Sequence, residues 1–325
     1  MIEIKNLVKY YGDKKAVDNV SFTVEQGEVL GFLGPNGAGK STTMNILTGF
    51  LSATSGTVKI NGHDILEEPE EARSHIGYLP ELPPLYMDMT VLEYLRFVAD
   101  LKNVPIDQRD QQLARIMALV RITDVRKRLI RNLSKGYKQR VGIAQALVGE
   151  PEIIILDEPT VGLDPKQIKE IRSTIKNLGK KHTVILSSHI LSEVAATCDR
   201  VIIINDGKLV ASGPADSLGE AVDGVSRVEV SVKTDSDRAM AILKSIEGVE
   251  QVLFLRRQGQ AAVYEYQTTE NVDVREEVFY RMAESRIPII GMKTLNPTLE
   301  DIFLKVTSQS YHDHAAILNS EKSEA

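Results

Sequence analysis

The feature that most constrains the fold is a glycine-rich segment, Gly34-Pro-Asn-Gly-Ala-Gly39-Lys40-Ser41, that follows a short apolar run. The run, Val29–Leu33, predicts a buried strand, and the residues after Ser41 predict a helix. Glycines let backbone N–H groups turn inward where side chains would collide, and the helix start adds the positive end of its dipole. A strand, such a loop and a helix, in this order, form the P-loop pattern. We therefore predict a site for the phosphates of a nucleotide.

The P-loop pattern also assigns chemistry to single residues. Lys40 should reach the β- and γ-phosphates, and the hydroxyl of Ser41 should bind Mg²⁺. The residues predicted to contact the nucleotide here are Gly34, Pro35, Asn36, Gly37, Ala38, Gly39, Lys40, Ser41 and Thr42.

Two acids end a second apolar run. Ile153–Leu156 predicts a buried strand, and Asp157 and Glu158 follow it directly. The carboxyl ends of parallel strands meet at one edge of a sheet, so both carboxylates should lie beside the P-loop. We expect Asp157 to hold Mg²⁺ and Glu158 to act as the base that polarises the attacking water. An acidic strand end at a surface turn is the alternative interpretation.

Composition and charge limit the other classes of function that the chain could have. The formal net charge is −6, so overall electrostatics give no support to a nucleic-acid partner. The single cysteine, Cys198, excludes an internal disulfide. The amino-terminal residues lack the apolar core of a secretory signal, and no run approaches the ~20 apolar residues of a membrane-spanning helix. We expect any link to a membrane to come through a partner.

Periodicity predicts two folded domains. Residues 1–218 alternate strands and helices, as expected for an α/β fold with a mostly parallel sheet, with a helical subdomain over about 85–150. Residues 225–307 follow the order β-α-β-β-α-β, which predicts a small α+β, ferredoxin-like domain, and then a last helix that carries Leu299 and Phe303. Residues 308–325 are polar, and we expect this tail to be disordered.

Three further motifs narrow the class of ATPase. Leu133-Ser134-Lys135-Gly136-Tyr137-Lys-Gln139-Arg140 precedes the acidic strand, Gly162-Leu163-Asp164 follows it, and Ser188-His189 ends the next strand. In this order, the motifs of residues 1–218 resemble those of the ATP-binding cassette (ABC) ATPases. The resemblance implies a P-loop NTPase core and hydrolysis of ATP with Mg²⁺. It also implies a head-to-tail homodimer or heterodimer that binds two ATP molecules at its interface.

The resemblance extends to individual residues. Ser134, Gly136 and Asp164 would contact the nucleotide held by the opposite subunit, His189 would contact the γ-phosphate, and Tyr11 would stack on adenine. The sequence also departs from the family pattern. Glu81 stands near the metal in place of a glutamine, and an ionised carboxylate accepts but does not donate hydrogen bonds. Lys135 and Tyr137 replace a small residue and a glutamine, which we interpret as a variant of an active site.

The resemblance also implies partners. They are a second ABC ATPase subunit, taken as an identical copy, and a separate transmembrane permease that would hold the chain at the cytoplasmic face of the membrane. The segment 82–87, Leu-Pro-Pro-Leu-Tyr-Met, would form the groove for a short helix of that permease, unless it is a buried loop. The carboxyl-terminal domain resembles the extension of multidrug, sodium and gliding-motility-type exporters, which implies export.

Two other functions are weighed against this interpretation. A soluble ABC-type ATPase acting on ribosomes or DNA would usually carry two cassettes or a long coiled coil, and the chain has one cassette and no sustained heptad pattern. A module that binds nucleotide without catalysis is disfavoured because Lys40, Asp157, Glu158 and His189 are all present.

Overall fold

The computed structural model of the chain describes residues 1–215, 227–233, 236–259, 261–269 and 272–295. These residues form two compact units, the first over residues 1–215 and the second between residues 227 and 295. The predicted domain boundary at 218–225, the last helix with Leu299 and Phe303, and the tail lie outside the described residues. None of the described helices has the length and apolar character that crossing a bilayer requires.

The first unit is a mixed α/β structure with two sheets and a group of helices over residues 91–147 that lies between the strands Ile76–Leu79 and Ile153–Leu156 in sequence. In chain order, its elements are β1 (Ile2–Tyr11), β2 (Lys14–Val24), β3 (Val29–Leu33), α1 (Lys40–Leu47), β4 (Ser55–Ile60), β5 (His63–Asp64), α2 (Pro69–Ser74), β6 (Ile76–Leu79), α3 (Val91–Leu101), α4 (Ile106–Leu119), α5 (Lys135–Leu147), β7 (Ile153–Leu156), α6 (Pro165–Gly179), β8 (Thr183–Ser188), α7 (Leu191–Ala195), β9 (Arg200–Asn205) and β10 (Lys208–Pro214), with 3₁₀ turns at Thr123–Val125 and Ile130–Asn132.

The central sheet has the strand order β10-β9-β3-β8-β7-β6. Its strands are parallel except β10, which is antiparallel to β9. Every residue of β3 and β7 is buried, as the continuous apolar runs predicted. The loops after β3, β7 and β8 leave the same edge of the sheet, because parallel strands bring their carboxyl ends together.

Four strands within the first 64 residues differ from the predicted parallel arrangement. Strands β2, β1, β4 and β5 form a separate antiparallel sheet in that order. Apolar residues alternate with polar ones along β2, so one face of the sheet is buried and the other is exposed. The β1–β2 hairpin places Tyr11 opposite Lys14 at its turn.

The helical subdomain comprises α3, α4 and α5. Thr90 and Glu93 form a capping box at the start of α3: the Thr90 hydroxyl accepts from Glu93 N, and the Glu93 carboxylate accepts from Thr90 N. Ser134 is the N-cap of α5, and its hydroxyl accepts from Tyr137 N. Each cap satisfies backbone N–H groups that have no partner within the helix.

The second unit has the predicted order of elements. They are β11 (Arg227–Val232), α8 (Ser236–Lys244), β12 (Val249–Gln258), β13 (Ala261–Thr268), α9 (Arg275–Glu284) and β14 (Ile289–Leu295). The four strands form an antiparallel sheet in the order β12-β13-β11-β14. Alternate residues of β11, including Val228 and Val230, are buried with Tyr264 and Tyr266 of β13. This is the ferredoxin-like arrangement that the sequence predicted.

Candidate nucleotide-binding site

The glycine-rich loop joins β3 to α1 at the edge where the parallel strands end. A Cβ atom on Gly34 would lie 2.4 Å from the carbonyl oxygen of Ile204, so only glycine fits this close approach. Gly39 has a φ of +103°, and a Cβ there would lie 2.5 Å from the carbonyl oxygen of Ala16. These two glycines therefore fix the loop against β9 and β2, with Asn36 and Gly37 exposed between them.

Lys40, the first residue of α1, is buried inside its own loop. Its ammonium group donates to the carbonyl oxygens of Gly34 and Pro35 at 2.8 and 3.1 Å. The same nitrogen lies 3.5 Å from Glu158 Oε1. A buried cation needs such partners, because its transfer from water is costly. Phosphate oxygens at the loop would be further acceptors for this ammonium group.

The acids after β7 form a connected group with the end of β8. Ser187 Oγ donates to Asp157 Oδ1 at 2.5 Å and accepts from Glu158 N at 2.9 Å. His189 Nδ1 lies 2.8 Å from Glu158 Oε2. Glu158 has a φ of +47°, which is uncommon for a residue other than glycine. The structure thus holds the Glu158 carboxylate between the Lys40 ammonium and the His189 ring.

Burial raises the pKa of the Asp157 carboxyl above its ordinary value. Hydrogen bonds from Ser187 and Ser41 oppose this rise. The hydroxyl of Ser41 and the carboxylate of Asp157 are therefore neighbours, and both are oxygen donors of the kind that Mg²⁺ prefers. No cluster of three or more potential ligands among His, Cys, Asp and Glu occurs in the part of the chain described. This small donor set fits Mg²⁺, which usually binds one or two carboxylates together with phosphates and waters.

Lys40, Ser41, Glu158 and His189 line a cavity of about 500 Å³, whereas Asp157 is buried beside Ser41 and does not line it. Tyr11, half exposed at the end of β1, and Glu81, which follows β6, both line this cavity. The predicted site residues that line it are Tyr11, Asn36, Gly37, Gly39, Lys40, Ser41, Thr42, Glu81, Glu158 and His189. Gly34, Pro35 and Ala38 complete the loop behind them.

Ser134, Gly136 and Asp164 do not line this cavity. They line a second cavity of about 480 Å³ between α5 and α6. Asp164 is the N-cap of α6 and accepts from Gln167 N at 2.9 Å. Gly136 contacts Gln167 closely, since a Cβ on this glycine would lie 2.5 Å from Gln167 Oε1. The chain therefore presents the predicted nucleotide residues on two separate surfaces.

The two unusual residues of the α5 motif have partners within the chain. The hydroxyl of Tyr137 donates to Asp124 Oδ2 at 2.9 Å, which raises the pKa of the Tyr137 phenol. The ammonium group of Lys135 lies across Gly162, only 2.0 Å from the position that a Cβ on that glycine would take. A side chain at position 162 would displace this lysine.

A third cavity of about 730 Å³ lies at the far end of α1. Phe50 and Leu82 on its rim are each 82% exposed. The floor includes Tyr78, whose hydroxyl donates to Asn45 Oδ1 at 3.1 Å. The 82–87 loop is not buried, since Leu82 and Tyr86 are exposed, although the Tyr86 ring packs against Tyr94 and Phe97 of α3. Within this segment, Leu82 and Pro84 line the cavity.

Sequence reasoning missed several residues in and beside the first cavity. Ser187 lies buried behind the cavity and joins Asp157 to Glu158, and its position next to Ser188-His189 at a strand end was a usable signal. Lys14, Ala16 and Val161 line the cavity itself. Lys14 and Ala16 belong to no sequence motif. The β1–β2 hairpin brings them to the site, and this tertiary contact could not be read from the local sequence.

Comparison with known proteins gives consistent results. The family model described as ABC transporter matches residues 17–161. The chain is 32% identical to the linearmycin resistance ATP-binding protein LnrL of Bacillus subtilis, over 96% of this chain and all of that protein. It is 33% identical to the bacitracin transport ATP-binding protein BcrA of Bacillus licheniformis, over 94% of this chain and 97% of that one.

Solved structures resemble the first unit. The ATP-binding subunit of an ABC transporter matches 66% of this chain and 90% of its own length, with a TM-score of 0.61 and 33% identity. The ATP-binding cassette MJ0796, solved as a dimer in a post-hydrolysis state with ADP and phosphate, matches 66% of this chain and 99% of its own length, with a TM-score of 0.61 and 27% identity.

Proposed function

Since the chain belongs to the ABC transporter family as an ATP-binding and ATP-hydrolysing subunit, we propose that two copies close head to tail on two ATP molecules and so drive a separate membrane subunit. The relatives support this function over a soluble ATPase that acts on ribosomes or DNA. The cargo contacts would lie in the membrane subunit.

The proposal rests on one observation: the predicted nucleotide-binding residues lie in two separate cavities of the chain. The P-loop and Glu158 line one cavity, whereas Ser134, Gly136 and Asp164 line another. The N-terminus of α5 offers backbone N–H groups and the Ser134 hydroxyl, which suit an anion. In a dimer, an ATP molecule held in the P-loop of one copy could be covered by the α5 and α6 surface of the other copy. That ATP would then contact both sets of predicted nucleotide-binding residues.

We assign roles within each completed site. Tyr11 stacks on adenine, and residues 34–42 hold the triphosphate with Lys40 as the main cation. Ser41 and Asp157 would hold Mg²⁺, and the Glu81 carboxylate would be a further hydrogen-bond acceptor beside them. When bound, Mg²⁺ supplies positive charge that stabilises the charge developing on the phosphates.

Hydrolysis then depends on Glu158 and His189. The Glu158 carboxylate orients a water molecule and accepts its proton as the oxygen attacks the γ-phosphorus atom. The bond from that phosphorus to the bridging oxygen breaks, which gives ADP and phosphate. His189 holds the Glu158 carboxylate through Nδ1, and its ring can turn toward the γ-phosphate.

Solution scattering tests the dimer. With Glu158→Gln to block hydrolysis, saturating Mg-ATP should double the scattering mass of the full chain, and ADP should leave it monomeric. The variant Glu158→Gln with Ser134→Arg is the matched control, because a large cation at the α5 N-cap blocks the second surface and leaves the P-loop intact. Monomers alone with Mg-ATP, even with the membrane subunit supplied, would contradict the proposal.

We further propose that the third cavity receives a short helix of a membrane subunit. Its rim residues Phe50 and Leu82 are large, apolar and highly exposed, and such surfaces mark sites of interaction. The resistance and transport functions named for the relatives support outward transport. On this proposal the chain is held at the cytoplasmic face of the membrane by its partner.

Charged substitutions on this rim should release the partner. Phe50→Glu and Leu82→Glu should each reduce the amount of membrane subunit that co-purifies with the tagged chain from detergent extracts by about tenfold or more, since each places a charge in an apolar contact. ATP binding should remain unchanged. Ile106→Glu is the matched control, because Ile106 is 81% exposed but lies outside the cavity. Equal recovery from all three variants would exclude the cavity as the docking site.

A further inference from the structure

The short helix α7, which follows His189, contacts three parts of the first unit. Val194 is fully buried against β3, the strand before the P-loop: a Cβ on Gly31 would lie 2.2 Å from Val194 Cγ1. The Ser192 carbonyl accepts from Arg172 of α6 at 3.4 Å. A third contact, from Glu193, reaches the loop after β7.

Glu193 is 5% exposed, and its carboxylate accepts a hydrogen bond from the hydroxyl of Thr160. Within the described ranges, no Lys, Arg or His forms an ion pair with this carboxylate. Burying a carboxylate is costly, and one hydrogen bond to a neutral hydroxyl offsets only part of that cost. A buried carboxylate without a cationic partner costs stability, and departures of this kind occur mainly at functional sites.

Thr160 lies in the middle of the loop that carries Glu158 at its start and Asp164 at its end. Val161 N donates to the carbonyl of Glu158 at 3.2 Å, and Leu163 N donates to the carbonyl of Thr160 at 3.2 Å. These two turns make the loop compact. A shift of Thr160 would therefore move the base in the first cavity and Asp164 in the second.

We propose that Glu193 is a positioning residue that holds the loop 158–164 to α7 through Thr160. The bond makes His189, Glu158 and Asp164 change position together. Asp164 faces the nucleotide of the partner subunit in the proposed dimer, so the bond couples the two ATP sites. This inference rests on the proposed head-to-tail dimer.

Thr160→Val and Thr160→Ser in the full chain test the coupling. Valine matches the shape of threonine but lacks the hydroxyl, whereas serine keeps the hydroxyl. In Thr160→Val, kcat should fall by about ten- to a hundredfold, since small misplacement of reacting groups is costly. The Hill coefficient for ATP should fall towards one, and the dissociation constant of the single chain for ATP should stay unchanged. Thr160→Ser should restore both kcat and the Hill coefficient.

Glu193 supplies an independent pair of variants. Glu193→Gln keeps an oxygen that accepts from Thr160 and should behave like the unaltered chain, whereas Glu193→Met should reproduce the loss. The double variant of Thr160→Val and Glu193→Met should lose no more than either single variant, because both remove the same bond. Glu193→Met should melt at the same temperature as the unaltered chain or higher, so its loss of coupling cannot be attributed to unfolding.

Three results would overturn the inference. They are a Hill coefficient of one in the unaltered chain, equal losses in Thr160→Val and Thr160→Ser, and additive losses in the double variant. If Thr160→Val does not fold, the two Glu193 variants decide the matter alone. Failure of the Glu158→Gln chain to dimerise would instead remove the proposed function itself.

Discussion

Glu158→Gln should slow ATP hydrolysis by about 10²- to 10⁴-fold, the usual contribution of a positioned base. Glutamine keeps the shape of the side chain and an oxygen that can face His189. It loses the negative charge that lies 3.5 Å from the Lys40 ammonium and the ability to accept a proton from water. Steady-state phosphate release at saturating Mg-ATP measures the effect.

The affinity for ATP distinguishes a role of Glu158 as the catalytic base from a purely structural role. The dissociation constant of the Glu158→Gln chain for ATP should stay close to that of the unaltered chain, because the phosphates are held by the P-loop. Glu276→Gln, an exposed acid on α9 of the second unit, is the control and should hydrolyse ATP at the normal rate. Near-normal turnover in Glu158→Gln would remove Glu158 from the role of base.

The second large effect is expected at Lys40. Lys40→Ala should weaken ATP binding by about 10²- to 10³-fold, because it removes charge-assisted hydrogen bonds to the phosphates worth about 1.5–3 kcal/mol each. The buried Glu158 carboxylate would also lose its cationic neighbour and repel the phosphates. Calorimetric titration of ATP into the full chain measures the change.

An exposed lysine on β4 provides the control for Lys40. Lys59→Ala removes the same charge from the chain but lies outside the nucleotide cavity, so its affinity for ATP should not change. If Lys40→Ala bound ATP as tightly as Lys59→Ala, Lys40 would not be the main phosphate-binding cation.

The buried strands were predictable because local sequence determines them. Val29–Leu33 and Ile153–Leu156 are continuous apolar runs with polar ends, and the structure gives them the same bounds. The antiparallel sheet was not predicted, since β1 pairs with β4 about 50 residues away and nothing local fixes that register. The caps at Thr90 and Ser134 can be identified from sequence in the same way, because a cap depends on residues only three apart.

The candidate site was predictable in its parts but not in its arrangement. The P-loop and the acids after β7 were found from their positions at strand ends. Motif order alone could not tell that Ser134 and Asp164 face a different cavity, because that depends on how α5 and α6 pack. Nor could it place the Lys135 ammonium over Gly162, 27 residues later in the chain. The roles of all these residues stay predictions.

Helix α1 extends from the nucleotide cavity to the groove at Phe50. Its first residues, Lys40 to Thr42, line the nucleotide cavity. Asn45 and Thr48, the residue that caps the helix end, line the third cavity. Eight residues of α-helix span about 12 Å, and a hydrogen-bonded rod of that length moves as a rigid body. If a segment docks in the third cavity, a push on this end of α1 would shift Lys40, and release of phosphate from the proposed nucleotide site would move the third cavity without any intervening loop.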